Sequence, residues 1–149
     1  MPIPVFDDNG LLPNGIHDCS LEEIQIGLTW NAHRINLFQQ FNSFLSVEIR
    51  PQFNLPIYFD GSFVTNKDNP EDTDVVLDLQ NSNAIEMFNG LTFMRDHQDR
   101  LKQEYNVHFW VNLPGNSDFC EFFQYVGVKT AKVKGLDPKH KKGILRILQ

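Results

Sequence analysis

Residues 57–79 read IYFDGSFVTNKDNPEDTDVVLDL. Ile57-Tyr58-Phe59 is a β-prone run that enters Asp60-Gly61-Ser62, and after nine residues, Phe63 to Glu71, Asp72-Thr73-Asp74 opens a second run ending in Val75-Val76-Leu77-Asp78-Leu79. The pattern predicts strand, loop, strand. Each polar part has a physical use. A glycine lacks the side chain that would keep backbone amides away from a phosphate, and the Ser62 hydroxyl adds a donor, so Gly61-Ser62 at a strand end suits a triphosphate cradle. Asp72 and Asp74, one residue apart at a strand edge, send their carboxylates to the same side, which suits a hard, oxygen-seeking Mg²⁺ that also binds phosphate oxygens. Asp78 shares that face in principle but lies too far along the strand for the same metal. Lys67 is placed to reach phosphates across the loop, with a solvated loop lysine as the other reading. Asp60 reads foremost as a turn residue.

Working outward, helices and strands alternate. Breakers at Pro2, Pro4, Gly10, Pro13 and Gly15 make residues 1–19 an extended, ordered arm. Ser20 and Glu23 form a capping-box pattern that starts a short helix. A longer helix is predicted from Asn31 to Val47, with Ile35, Phe38, Phe41, Phe44 and Leu45 on one face and Pro51 behind its end. Residues 83–104 have helical spacing that Gly90 is expected to break. Val107-His108-Phe109-Trp110-Val111 is a third strand, Ser117 a cap for a helix carrying Phe119, Phe122, Phe123 and Val126, and residues 144–148 a last strand. The predicted class is α/β or α+β: one domain over residues 1–149, with a mixed β-sheet flanked by helices. The phenylalanines at helical spacing read as core, not as a base-stacking platform, and Trp30 as a packing anchor.

With 149 residues and 41% hydrophobic content the chain suffices for one core. No apolar stretch approaches the roughly 20 residues of a membrane span, and Met1-Pro2-Ile3-Pro4 lacks the layout of a secretory leader, so a cytoplasmic protein with no membrane partner is expected. Cys19 and Cys120 lack the close spacing of a zinc or redox motif and are expected reduced and buried. Charge is unevenly spread: residues 1–128 hold 6 Lys/Arg against 18 Asp/Glu, and residues 129–149 hold 7 against 1. This basic C-terminal segment, with Lys129, Lys132, Lys134, Lys139, Lys141 and Lys142, reads either as a solvated strip or as a contact for phosphate or RNA.

Gly61-Ser62 with Asp72-Thr73-Asp74 resembles the signature of the DNA polymerase β-like nucleotidyltransferase superfamily, especially its minimal members. Residues 60–67 (DGSFVTNK), Pro70 and Asp72, with Leu11-Leu12-Pro13-Asn14-Gly15-Ile16-His17 before them and Lys142-Gly143-Ile144 near the end, look like a group of small bacterial proteins of that superfamily. The resemblance implies a nucleotidyltransferase-like sheet and Mg²⁺-dependent transfer of a nucleoside monophosphate from a nucleoside triphosphate, ATP foremost, to a protein or RNA hydroxyl. It implies Gly61, Ser62 and Lys67 on the nucleotide and Asp72 and Asp74 as catalytic metal ligands. It also implies a toxin–antitoxin or phage-defence setting, with a cognate toxin or antitoxin as a partner. The superfamily usually carries a third carboxylate on the later strand, where this chain has His108. A histidine there can act as base or ligand, or be hydrogen-bonded within the fold; Asp118 is the other substitute. The competing expectation is a degenerate fold of this type that binds a nucleotide or a protein without catalysis.

Overall fold

Ser20 caps the first helix by accepting the Glu23 amide at 3.1 Å, and Asn31 caps the second by accepting the Arg34 amide at 2.8 Å. The computed structural model describes residues 3–114 and 125–147, leaving aside the side chains of residues 127 and 128. In chain order these form β1 (Gly15–Cys19), α1 (Leu21–Leu28), α2 (Ala32–Phe44), a π-turn over Leu45–Ile49, β2 (Ile57–Asp60), a 3₁₀ turn over Ser62–Val64, β3 (Thr73–Asp78), α3 (Ala84–Tyr105), β4 (Val107–Asn112), α4 (Gly127–Lys134) and β5 (Gly143–Ile147). The fold is mixed α+β, with a five-stranded mixed sheet flanked by helices.

The strand order is β1-β5-β2-β3-β4. β2 runs antiparallel to both β3 and β5, while β1–β5 and β3–β4 are parallel pairs. Each parallel pair needs a crossover, which α3 supplies between β3 and β4. One face of the sheet, with Phe59, Val75, Leu77, Phe109, Val111, Leu145 and Ile147, packs in a single cluster with α1, α2 and α3. Phe41 stacks on Phe59 at 4.3 Å and Phe93 meets Phe109 edge-on at 5.4 Å, and with Phe38, Phe44, Phe53 and Phe63 these are core, whereas Phe88 is exposed. The opposite face carries a smaller cluster of Tyr58, Val76 and Ile144, with Trp110 against it.

Several expectations need correction. The arm ends in an edge strand: β1 pairs with β5 from Gly15↔Gly143 to Cys19↔Ile147, and Arg146 forks onto Asp18 at 2.6 and 3.0 Å. Cys19 is therefore half-buried rather than buried, though its thiol is free and burial pushes its pKa up to about 12. Gly90 does not break α3, because there it is a packing residue: a Cβ would lie 2.8 Å from Leu79 Cδ1, so its absence lets the helix sit against the end of β3. Ile35 is exposed, and the buried stripe of α2 holds Arg34, Leu37, Phe38, Phe41 and Phe44. Residues 127–134 form a helix that periodicity did not announce, and Val126 precedes it instead of closing an earlier one. Residues 117–123, with Asp118 and Cys120, lie outside the described residues.

Glu48 joins the π-turn to α3. It accepts both arms of the Arg100 guanidinium, at 2.7 and 3.2 Å, and the Tyr105 hydroxyl at 3.2 Å. The Arg100 hydrogen bond, ahead of its Coulombic attraction, holds the Glu48 carboxyl below its usual value. A depressed carboxyl contributes stability above its unfolded pKa and loses it as pH falls through the folded value. Urea titrations from pH 6 to 3 are therefore expected to show the wild type losing roughly 1 kcal/mol more than Glu48→Gln, the value being reduced by solvent screening of the partly exposed Arg100. Parallel pH profiles would contradict this role.

Candidate functional site

The loop after β2 is shaped by a buried cation whose hydrogen bonds all go to backbone carbonyls. Arg34 is fully buried, and its guanidinium donates to the carbonyls of Leu28 (3.0 Å), Phe63 (2.7 Å), Thr65 (2.7 Å) and Lys67 (2.6 and 3.0 Å). Its carbon lies 3.7 Å from the centre of the Trp30 ring and 4.8 Å from that of Phe63. Burial lowers its pKa to about 10, which leaves it charged at neutral pH. The same helix junction holds the rest of the loop, since Trp30 Nε1 donates to Asp68 Oδ1 at 3.0 Å and Asn31 Nδ2 to the Asp68 carbonyl at 2.7 Å.

Within this frame the sheet lines up three polar side chains. Asp60 is opposite Asp74 across β2–β3, and Asp74 is opposite His108 across β3–β4; cross-strand partners share a face. His108 Nδ1 lies 3.2 Å from Asp74 Oδ1. Gly61 has φ +80°, and a Cβ on it would stand 2.0 Å from Asp74 Oδ2. The glycine thus admits both the turn and the close approach of the carboxylate. Asp72, just before β3, is paired with Lys102 of α3. Asp60 is not a simple turn residue: it is buried and paired with the equally buried Lys142. Burial raises the Asp60 pKa, while Lys142 and the Gly61 amide pull it back.

The N-terminal arm and the basic segment close the site. Asn66 donates its amide to the Gly10 carbonyl at 2.9 Å, and Lys134 of α4 donates to the Asn9 carbonyl at 2.6 Å and to Asn66 Oδ1 at 3.3 Å. Gly143 donates its amide to the Leu12 carbonyl at 2.9 Å, and a Cβ there would lie 2.1 Å from the Pro13 carbonyl oxygen. The Leu11–His17 and Lys142–Ile144 stretches, remote in sequence, therefore meet in space. Between loop, sheet and α4 lies a cleft of about 720 Å³. Gly61, Ser62, Lys67, Asp72, Asp74 and His108 all line it, joined by Lys129, Lys134 and Lys142. Asp78 lies outside it, bonded to Asn112 at 3.1 Å. Among the described residues, no group of three or more His, Cys, Asp or Glu side chains is gathered to hold a metal ion; the carboxylates that line the cleft are those of Asp60, which is paired with Lys142, and of Glu71, Asp72 and Asp74.

A family model described as a family of unknown function, DUF6932, matches residues 4–148. The chain belongs to the DUF6932 family. No curated protein and no solved structure matches it. In this DUF6932 chain, Arg34, Asp60, Lys142, Lys134 and Trp110 are site residues that the sequence reading missed or gave another role. Arg34 had a signal: it is the single Lys or Arg in residues 1–49 and falls on the apolar stripe of α2 with Leu37, Phe38 and Phe41. Lys134 carried no mark beyond being a lysine in a basic segment, and Lys142 only that and its place in the Lys142-Gly143-Ile144 stretch of the resemblance.

Replacing Arg34 by Met leaves at least four carbonyls without their donor. Denaturant unfolding is expected to show a loss of about 3 kcal/mol or more, and Arg34→Lys, with a smaller donor set, should recover only part of it. A loss below about 1 kcal/mol for Arg34→Met would show that the loop holds itself.

Proposed function

We propose that this protein is a Mg²⁺-dependent nucleotidyltransferase, with a nucleotidyltransferase-like fold, that moves a nucleoside monophosphate from a nucleoside triphosphate to a hydroxyl of a protein or an RNA. One observation carries the reading: Gly61-Ser62 and the Asp72/Asp74 pair, separated by a long loop, open on a single cleft that also presents Lys67, Lys129 and Lys134. Acids and ammonium groups around one cleft suit a ligand that is a polyanion carrying a divalent cation.

The residues fit Mg²⁺ by their chemistry, since Asp72 and Asp74 offer hard carboxylate oxygens and Gly61 leaves space beside Asp74 that any larger residue would fill. When bound, the metal lowers the pKa of the acceptor hydroxyl and offsets charge on the pyrophosphate. The chain's own residues do the rest. Gly61 and Ser62 would cradle the phosphates, and the lysines would offset their charge and hold the α-phosphorus in line with the acceptor. Asp72 exchanges Lys102 for the ligand. His108, with Nδ1 turned to Asp74, has Nε2 to take the acceptor's proton as its oxygen bonds to the α-phosphorus and the bond to pyrophosphate breaks. The basic segment suits an RNA acceptor. Among the described residues no helix is long and apolar enough to cross a membrane, and the setting we propose is cytoplasmic, in a toxin–antitoxin or phage-defence module.

Binding without turnover is a second reading, favoured by one observation: both carboxylates are already engaged, Asp72 by Lys102 and Asp74 by His108. Incubating the protein with α-labelled nucleoside triphosphates, Mg²⁺ and a bacterial extract distinguishes them. The transferase reading expects label on RNA or protein, falling about 10²–10³-fold for Asp72→Ala/Asp74→Ala. Label equal to that double variant's, alongside nucleotide binding, would leave the binding reading in its place.

A further inference from the structure

The cleft has a second chemical half that the transfer chemistry does not use. Two residues beyond His108 on β4, and so on the same sheet face, stands Trp110, which lines the cleft and packs on Tyr58, Val76 and Ile144. The His108 and Trp110 rings are 4.6 Å apart at 49°, and His108 is itself fixed by Asp74. Val126, just before α4, and Val133 of α4 line the same cleft, and Val133 is 82% exposed. Trp110 is itself half-buried.

We propose that Trp110 is the platform on which the base of the nucleotide stacks, so that the cleft reads a nucleotide as two joined parts. This rests on the reading of the cleft as a nucleoside triphosphate site. The polar half, around Asp72, Asp74 and the lysines, matches a polyphosphate with its cation. The apolar half, around Trp110 and Val133, matches a planar ring that is poorly hydrated on its faces. His108, level with Asp74 in the sheet, and Trp110 are about 6.6 Å apart along β4 at the usual rise per residue, a step that a pentose bridges between its phosphate and its base. Stacking on an indole tolerates any base, and a purine covers more of the ring than a pyrimidine does. Trp110 is thus a binding residue, distinct from those that touch the reacting phosphate.

Isothermal titration of the whole chain with Mg-ATP and with Mg-tripolyphosphate tests the assignment. The wild type is expected to bind Mg-ATP at least about five-fold more tightly than Mg-tripolyphosphate. Trp110→Leu, which keeps apolar volume over Tyr58 and Val76, should bring ATP to the level of tripolyphosphate without weakening tripolyphosphate itself, and Trp110→Phe should restore most of the difference. Equal affinities in the wild type, or a preference for ATP that survives Trp110→Leu, would overturn the platform. The comparison within the wild type stands even if Trp110→Leu does not fold. If tripolyphosphate binds and ATP binds no better, the platform alone falls. If neither binds, the nucleotide site falls with it.

Discussion

A guanidinium sealed inside a protein must be given acceptors, and Arg34 has only backbone carbonyls to take. Those carbonyls come from the end of α1 and from the loop after β2, so the loop must wrap the cation to satisfy it. Wrapping fixes the path from Ser62 to Lys67 and, through Trp30 and Asn31, carries on to Asp68. The loop then delivers Asp72 to the mouth of β3 and leaves Ser62 and Lys67 facing the cleft. The loop is anchored by Arg34 of α2, and Ser62 and Lys67 line the cleft.

The acids around the same cleft are partnered element by element. Asp60 at the end of β2 is matched by Lys142 before β5, Asp72 by Lys102 on α3, and Asp74 by His108 on β4. The Asp60–Lys142 pair is the most deeply buried of the three and ties the C-terminal strand to the head of β2. It anchors the basic segment to the site, with Lys134 bonded to the N-terminal arm and to Asn66 as a second tie. The pairs at Asp72 and Asp74 are more open to solvent, so exchanging a lysine or imidazole for a metal-bearing ligand costs less there than it would at Asp60.

Much of this was legible in the chain because it is local. The Ser20–Glu23 capping pattern marks one helix start, the helices expected from Asn31 and residue 83 begin there with those asparagines as their caps, and β2 and β3 declare themselves by short apolar runs on either side of a polar loop. The spacing of Gly61-Ser62 and Asp72/Asp74 is likewise written along the chain. What was not legible depends on partners far away. β1 is only five residues with a weak alternation, and it becomes a strand because β5 lies beside it. Arg34 reads as an isolated charge until Phe63, Thr65 and Lys67 close around it. Gly90 reads as a helix breaker until Leu79 is seen to need the space. Asp60 and Lys142, 82 positions apart, have no local pattern that links them. The short α4 has too few apolar residues to show a periodicity and is held by Leu11 and Leu136 packing on Ala131.

On the proposed function, the Arg34-held loop and the acidic pair face each other across one phosphate-binding space. Anomalous scattering from Mn²⁺ in crystals grown with a non-hydrolysable nucleoside triphosphate tests it most directly. The account predicts a manganese peak bridging the Asp72 and Asp74 carboxylates and the phosphates, with phosphate oxygens against Gly61 and Ser62. Manganese and phosphate bound elsewhere on the molecule, or the acid pair still closed on Lys102 and His108 with the nucleotide absent at saturating concentration, would contradict it.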